Sequence, residues 1–177
     1  VQEYLSTPCA GGALVLWDAD QGFADAMVRQ CVTVATLTPS ALAVLDSPRL
    51  PRLMAVAVAA EACPPSLASP WAFEGRKLIN AYGPSEGCVV STYGELQGDM
   101  HQVPIGLPLR NVQCYVFEPS LCRSLQPVGV SGELCIGGVQ LARGYYGDKR
   151  KTEEKFVANP LDGSRMYRSG DLVTWLA

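Results

Sequence analysis

Residues 79–87 read INAYGPSEG. Within this stretch stand an amide (Asn80), a phenol (Tyr82), a Gly-Pro corner, a hydroxyl (Ser85) and a carboxylate (Glu86). Gly83-Pro84 forces a turn directly after an apolar strand end, so these side chains project from a fixed corner and not from a flexible loop. Such a set can handle a nucleotide. An aromatic stacks on a base, an amide reads a ring edge, a hydroxyl bonds a phosphate oxygen, and a carboxylate holds Mg²⁺. A plain strand-to-helix turn, with Ser85 capping and Glu86 on the helix dipole, accounts for the same letters equally well. A second packet, YRSGDL at 167–172, sets Asp171 behind a glycine turn. There it can accept two hydrogen bonds from a ribose diol or brace the turn, and for an isolated Asp the bracing role is the commoner. GELCIGG (132–138) and LARGYYGD (141–148) read as fold, their glycines allowing positive φ and close packing and Arg143 serving as a guanidinium clamp.

The elements around these packets fall into two halves. ALVLW (13–17), VTVATL (32–37), LMAVAVAA (53–60) and KLINAY (77–82) are short apolar runs that read as strands. Between them FADAMVRQC (23–31), behind Asp20 as N-cap, PSALAVL (39–45) and an interrupted PPSLASPWAF (64–73) read as helices. Strands apolar on both faces alternating with helices predict an α/β layer: an open, mainly parallel sheet covered by helices, with ligands at the carboxyl ends of its strands. From about residue 100 the pattern changes to strands separated by Gly and Pro turns, at 111–118, 128–138 and 165–176, with a short polar helix near 152–157. This half predicts a smaller, mainly antiparallel β subdomain or distorted barrel. The polar stretch GELQGDMH marks the boundary, giving 1–98 and 99–177 as the two parts.

Composition narrows the partners. The formal charge is −3, with no basic run longer than KRK at 149–151, which excludes an electrostatic footprint for nucleic acid. The longest apolar run, 53–60, falls far short of the roughly 20 residues a membrane span needs. Seven cysteines without a CxxC pair, beside a single His, argue against a zinc site or a disulfide framework and for buried, reduced thiols in a cytoplasmic protein. That single His101 lies in the polar linker and reads as a solvated loop residue.

Taken together, INAYGPSEG, VPIGLPLRN (103–111), GELCIGGVQLARGYYGD (132–148) and MYRSGDL (166–172), in this order, closely resemble the adenylate-forming superfamily. Within it the match is to the adenylation domains of nonribosomal peptide synthetases, and it covers nearly the whole chain. The resemblance implies part of the large N-terminal lobe of such an enzyme. It also implies an ATP-dependent ligase that forms an aminoacyl-adenylate and loads it onto a carrier-domain phosphopantetheine thiol, with carrier and condensation domains as neighbours. Asn80 and Tyr82 would contact the adenine, Ser85 the α-phosphate, Glu86 the Mg²⁺ and Asp171 the ribose. Ser85 stands where Thr is usual. Ala59 and Ala60 stand where the family carries two glycines, Ala60 beside the nucleotide. The amino-acid pocket would be lined by Gln2, Thr36, Ala57, Ala59, Ala81, Val89 and Val90, mostly small or apolar. An acyl- or aryl-CoA ligase of the same superfamily is the alternative enzyme reading, and a catalytically inactive nucleotide-binding scaffold the non-enzymatic one.

The family's phosphate loop and amine-binding Asp would precede Val1, and its lid with a catalytic Lys would follow Ala177. The 177-residue chain by itself is therefore expected to show no amino-acid-dependent exchange of pyrophosphate into ATP, and measurable exchange by the isolated polypeptide would refute this.

Overall fold

A computed structural model of the chain describes residues 2–16, 18, 20, 22–72, 75–98, 100–120 and 122–176, with the side chain of Gln2 outside the description. Two compact units emerge: residues 1–82 with 93–106, and residues 83–92 with 107–177.

The first unit carries α1 (Gln2–Cys9), α2 (Phe23–Arg29), β1 (Val34–Leu37), α3 (Pro39–Ala43), β2 (Ala55–Val58), α4 (Pro65–Ala68), β3 (Lys77–Tyr82) and most of β4 (Thr92–Leu96). The strands lie in the order β1-β2-β3-β4. β1, β2 and β3 are parallel, with Thr36 opposite Ala57 and Ala57 opposite Ile79. Because side chains alternate between faces, this register puts Ala35, Val56, Val58 and Leu78 on one face, where they join Leu42, Leu53 and Trp71 in a buried core. Thr36, Ala57 and Ile79 face the other way and are only partly buried. Helix α3 starts where expected: Pro39 sits in its first turn and the Thr38 hydroxyl accepts the Ala41 N–H at 3.2 Å. The Glu61 carboxylate adds to that end, accepting from Ser40 N–H at 3.1 Å and Ser40 Oγ at 2.7 Å.

Two expectations are corrected here. The described residues 13–16 form no strand, and Leu16 is 72% exposed. An apolar run becomes a strand only when a sheet edge offers it hydrogen bonds, and periodicity cannot report that. Helix α2 takes Gly22 as its N-cap, without a side-chain bond, in place of Asp20.

The second unit contains β5 (Leu107–Pro108), β6 (Val112–Phe117), β7 (Gly132–Gly138), α5 (Lys149–Lys155), β8 (Phe156–Ala158) and β9 (Arg165–Val173). Its antiparallel sheet runs β6-β7-β9-β8 and is open, not closed into a barrel. Phe117, Cys135 and Met166 fill its core. Cys9, Cys31 and Cys88 are exposed, so the expectation of buried thiols holds for Cys63, Cys122 and Cys135 but not for these three. Among the described residues no helix is long and apolar enough to cross a membrane.

A polar knot inside this second sheet escaped the sequence reading. Glu133 is buried and takes Arg168 Nη2 at 2.6 Å, Arg168 Nε at 3.2 Å, the Cys122 thiol at 3.4 Å and Gly170 N–H at 3.2 Å. With Cys135, Cys122 and Glu133 bring three possible metal ligands within 4.8 Å. The Arg168 guanidinium already neutralises that carboxylate, which makes the knot an ion pair and not a cation cage. Burial works to raise the Glu133 pKa, but hydrogen bonds from Arg168 and Cys122 and the Arg168 charge outweigh it and hold it below the ordinary 4.5. A depressed carboxylate stabilises the fold fully above its unfolded pKa and loses that contribution as pH falls through the lower, folded value. Glu133→Gln is expected to cost about 3 kcal/mol in urea unfolding at neutral pH, because it leaves Arg168 without its anion. It should also flatten the loss of stability below pH 4.5.

Candidate functional site

The first unit supplies Asn80 and Tyr82 from the end of β3. Asn80 is buried, and its amide donates to the Pro104 carbonyl at 2.9 Å, so the side chain braces the returning chain. Tyr82 is half-buried. Of the residues expected to line an amino-acid pocket, Thr36, Ala57, Ala59 and Ala81 share one face of the sheet by register and alternation. The Gln2 side chain lies outside the described residues. Ala60, just beyond β2, has φ +70, a left-handed conformation natural to glycine.

The second unit holds the corner itself. Ser85–Gly87 form a single 3₁₀ turn, and no longer helix follows, so the capping role open to Ser85 and Glu86 is not taken up. The chain then turns left-handed twice, at Cys88 (φ +61) and Val89 (φ +73). Val90 N–H donates to Cys88 O at 2.9 Å, closing around Val89 the rare γ-turn of positive φ. For a β-branched residue this is a strained conformation of the kind that collects at functional sites. Gly83 makes the packing possible, since a Cβ there would meet Ser91 N at 2.6 Å and Val89 O at 2.7 Å. Val89 is thereby exposed, and Val90 is half-buried beside it. Ser85 is exposed and Glu86 half-buried.

Glu86 is gripped twice. Its main-chain carbonyl accepts Ala142 N–H at 2.8 Å, and its Oε1 accepts a short hydrogen bond from the Tyr145 hydroxyl. Behind Tyr145 stands the Tyr167 hydroxyl at 3.4 Å, and Lys151 Nζ lies 4.3 Å from the Tyr145 ring centroid. Burial pushes the Glu86 carboxyl up, but the Tyr145 hydroxyl, with help from Tyr167 and the Lys151 charge, holds it below the ordinary 4.5. The same contact, after burial, raises the Tyr145 phenol, so at neutral pH the pair is a carboxylate and a neutral donor. A half-buried, ionised carboxylate is a suitable donor for Mg²⁺. Sequence reading placed Tyr145 in a structural packet; nothing in local spacing links it to a residue 59 positions away. The guanidinium that clamps this strap belongs to Arg165, on Ala142 O at 2.6 Å and Arg143 O at 2.9 Å, and not to Arg143.

Asp171 lies exposed near the end of β9, and its backbone is fixed. Its N–H donates to Ser169 Oγ at 3.0 Å, Ser169 Oγ donates to Leu134 O at 2.7 Å, and Gly170 N–H reaches Glu133. His101 is exposed. A cavity of about 720 Å³ lined by Leu53, Trp71 and Arg76 lies where β2 and β3 begin, at the other end of these strands from Asn80 and Tyr82, and there Arg76 donates to the carbonyls of Leu53 and Leu50.

A mainly parallel α/β sheet followed by a separate antiparallel sheet is the architecture of the N-terminal lobe of adenylate-forming enzymes. The chain belongs to the AMP-binding enzyme family, whose pattern matches residues 2–146. It is 37% identical over 187 residues to nonribosomal peptide synthetase easA of Emericella nidulans, an alignment spanning 98% of this chain and 3% of that protein. It is 42% identical over 149 residues to tyrocidine synthase 1 of Brevibacillus parabrevis, spanning 82% of this chain and 13% of that one. Among solved structures it is similar to the N-terminal subdomain of Klebsiella oxytoca NpsA in complex with 3-hydroxybenzoyl-AMSN, with TM-score 0.77 and 28% identity over 92% of this chain and 41% of that one. The nonribosomal peptide synthetase FmoA3 matches with TM-score 0.77 and 26% identity, over 87% of this chain and 18% of that one. The chain thus spans a small part of the length of its curated relatives.

Substitutions at Ala60 and Gly83 are expected to shift stability in opposite directions, read by chemical unfolding. Ala60→Gly should raise it by up to about 1 kcal/mol by relieving a left-handed alanine. Gly83→Ala should lower it by about 1–3 kcal/mol, because the added methyl meets backbone that cannot move aside.

Proposed function

We propose that this chain is the nucleotide-handling part of an amino-acid-activating enzyme of nonribosomal peptide synthesis. The parent joins the amino-acid carboxylate to the α-phosphate of ATP, releases pyrophosphate, and passes the aminoacyl group to the phosphopantetheine thiol of a carrier domain. The observation that carries this reading is Glu86, a carboxylate kept ionised on a rigid corner by a phenol donor. It is supported by family membership and by a structural relative, FmoA3, solved with AMPPNP bound.

In this reading Tyr82 stacks on the adenine and Asn80 stiffens the strand end that presents it. Ser85 donates its hydroxyl to an α-phosphate oxygen, and Asp171 accepts from the ribose hydroxyls. Glu86 holds Mg²⁺, which supplies charge neutralisation on the phosphates during displacement. The protein's share is placement: the substrate carboxylate must lie in line with the phosphorus while water is kept away. Thr36, Ala57, Ala59 and Ala81, with Gln2, Val89 and Val90, form the amino-acid pocket, with Ala60 beside the nucleotide. Its lining is small and mostly apolar, so a bulky apolar side chain gains about 25 cal/mol for each Å² it removes from water.

The test is pyrophosphate exchange by the full-length polypeptide that carries this sequence, with a panel of amino acids and with anthranilate, since NpsA was also solved with anthranilyl-AMSN. Leu, Phe or Trp should be activated best. A preference for Asp or Lys would overturn the dry pocket, and activation of anthranilate alone would move the protein to the aryl-acid branch.

A further inference from the structure

We propose that Tyr145 is a positioning residue for Glu86, its hydroxyl aiming the carboxylate at the divalent cation that accompanies the nucleotide. The inference deepens the reading above and rests on Glu86 being the cation's ligand.

Tyr145 is held in place from every side within the second unit. Gly144, at φ +148, lets the chain pass over α5, where a Cβ would lie 2.5 Å from the Thr152 methyl. Tyr145 N–H then donates to Thr152 Oγ1 at 2.9 Å. Phe156 meets the ring edge-on at 5.9 Å, and Lys151 covers its face. On the far side Tyr167, itself buried and packed 5.0 Å from Phe156, sets its hydroxyl 3.4 Å from the Tyr145 phenol oxygen. A ring so fixed points its hydroxyl in one direction, and Glu86 Oε1 lies there.

The grip on residue 86 is two-point. Ala142 N–H fixes the main-chain carbonyl and Tyr145 fixes the side chain, while Arg165 ties down residues 142 and 143 through their carbonyls. A carboxylate held at one oxygen by a donor cannot rotate freely about its last bond, so its other oxygen has a defined direction. Outer donors that orient a metal-binding carboxylate typically change metal affinity by about 10–100-fold when removed. A tyrosine needed only for packing would tolerate phenylalanine, because ring, backbone bond and aromatic neighbours all survive that change.

The experiment uses the full-length polypeptide with AMPPNP and measures Mn²⁺ binding by electron paramagnetic resonance, without turnover. Tyr145→Phe should weaken Mn²⁺ binding about tenfold and leave the amino-acid KM unchanged. Unchanged Mn²⁺ affinity in a folded variant overturns the proposal. Should Tyr145→Phe fail to fold, Tyr167→Phe, which removes only the outer hydroxyl, must give a smaller shift of the same sign, and no shift overturns it. Glu86→Gln separates the two layers. If it binds Mn²⁺ as tightly as the parent, the ligand role of Glu86 is wrong and the proposal falls with it; if it loses Mn²⁺ while Tyr145→Phe does not, only the role of Tyr145 is wrong.

Discussion

A hydrogen bond between Tyr145 and Glu86 joins residues 59 positions apart, and much of the second unit is arranged so that it can form. On one side the chain must leave a strand, turn at Gly-Pro and present a carboxylate before the next strand begins. On the other, a strap that follows β7 must pass close over α5, which only glycine allows at residue 144. Both requirements constrain backbone more than side chain. The carboxylate gains from this because a fixed donor keeps it charged despite partial burial, whereas a mobile one would leave the desolvation penalty uncompensated.

The same logic governs Asp171, through a different network. Gly170, at φ +84, offers its N–H to Glu133, a carboxylate neutralised by Arg168, and Ser169 links Leu134 to the Asp171 backbone. The β7–β9 pairing has a register irregularity between Glu133 and Cys135, beside these groups in the sequence of β7. A buried ion pair is a poor source of net stability compared with an apolar core. Here it fixes the direction of the backbone that carries an exposed aspartate, a task apolar packing does not perform.

Strand identity was largely legible from the sequence. Lys77–Tyr82, Val112–Phe117 and Arg165–Val173 fall inside runs whose apolar letters and flanking Gly or Pro already mark them. The corner residues were legible because Gly-Pro confines their geometry locally. Residues 13–16 misled because strand formation needs a partner edge, a property of the sheet and not of the run. Tyr145, Arg165, Glu133 and Arg168 were invisible as partners for a related reason. The bonds Arg165–Arg143, Arg168–Glu133 and Tyr145–Glu86 span 22, 35 and 59 positions, and periodicity carries no information at that range. Only a polar side chain in an otherwise apolar strand, such as Glu133 in GELCIGG, hints that a partner must exist.

What remains is why the loops at the carboxyl ends of β2 and β3 carry alanine, cysteine and valine at positive φ, where glycine would carry no steric penalty. Ala60, Cys88 and Val89 each forgo roughly 1–2 kcal/mol in the left-handed region. Strain of this size persists only where surrounding bonds over-determine the backbone. At 88–90 those bonds are visible: Cys88 N–H to Ser85 O at 3.2 Å, the γ-turn closing on Cys88 O, and Leu109 N–H to Ser91 O at 2.9 Å. Glycine at these positions would widen the set of accessible conformations in the unfolded chain and also in the loop. A methyl or a branched side chain narrows both, so a loop once closed has fewer alternatives to sample. The valine at 89 therefore exchanges stability for a turn of single geometry, which is the property a corner needs if the serine and carboxylate before it are to keep one orientation.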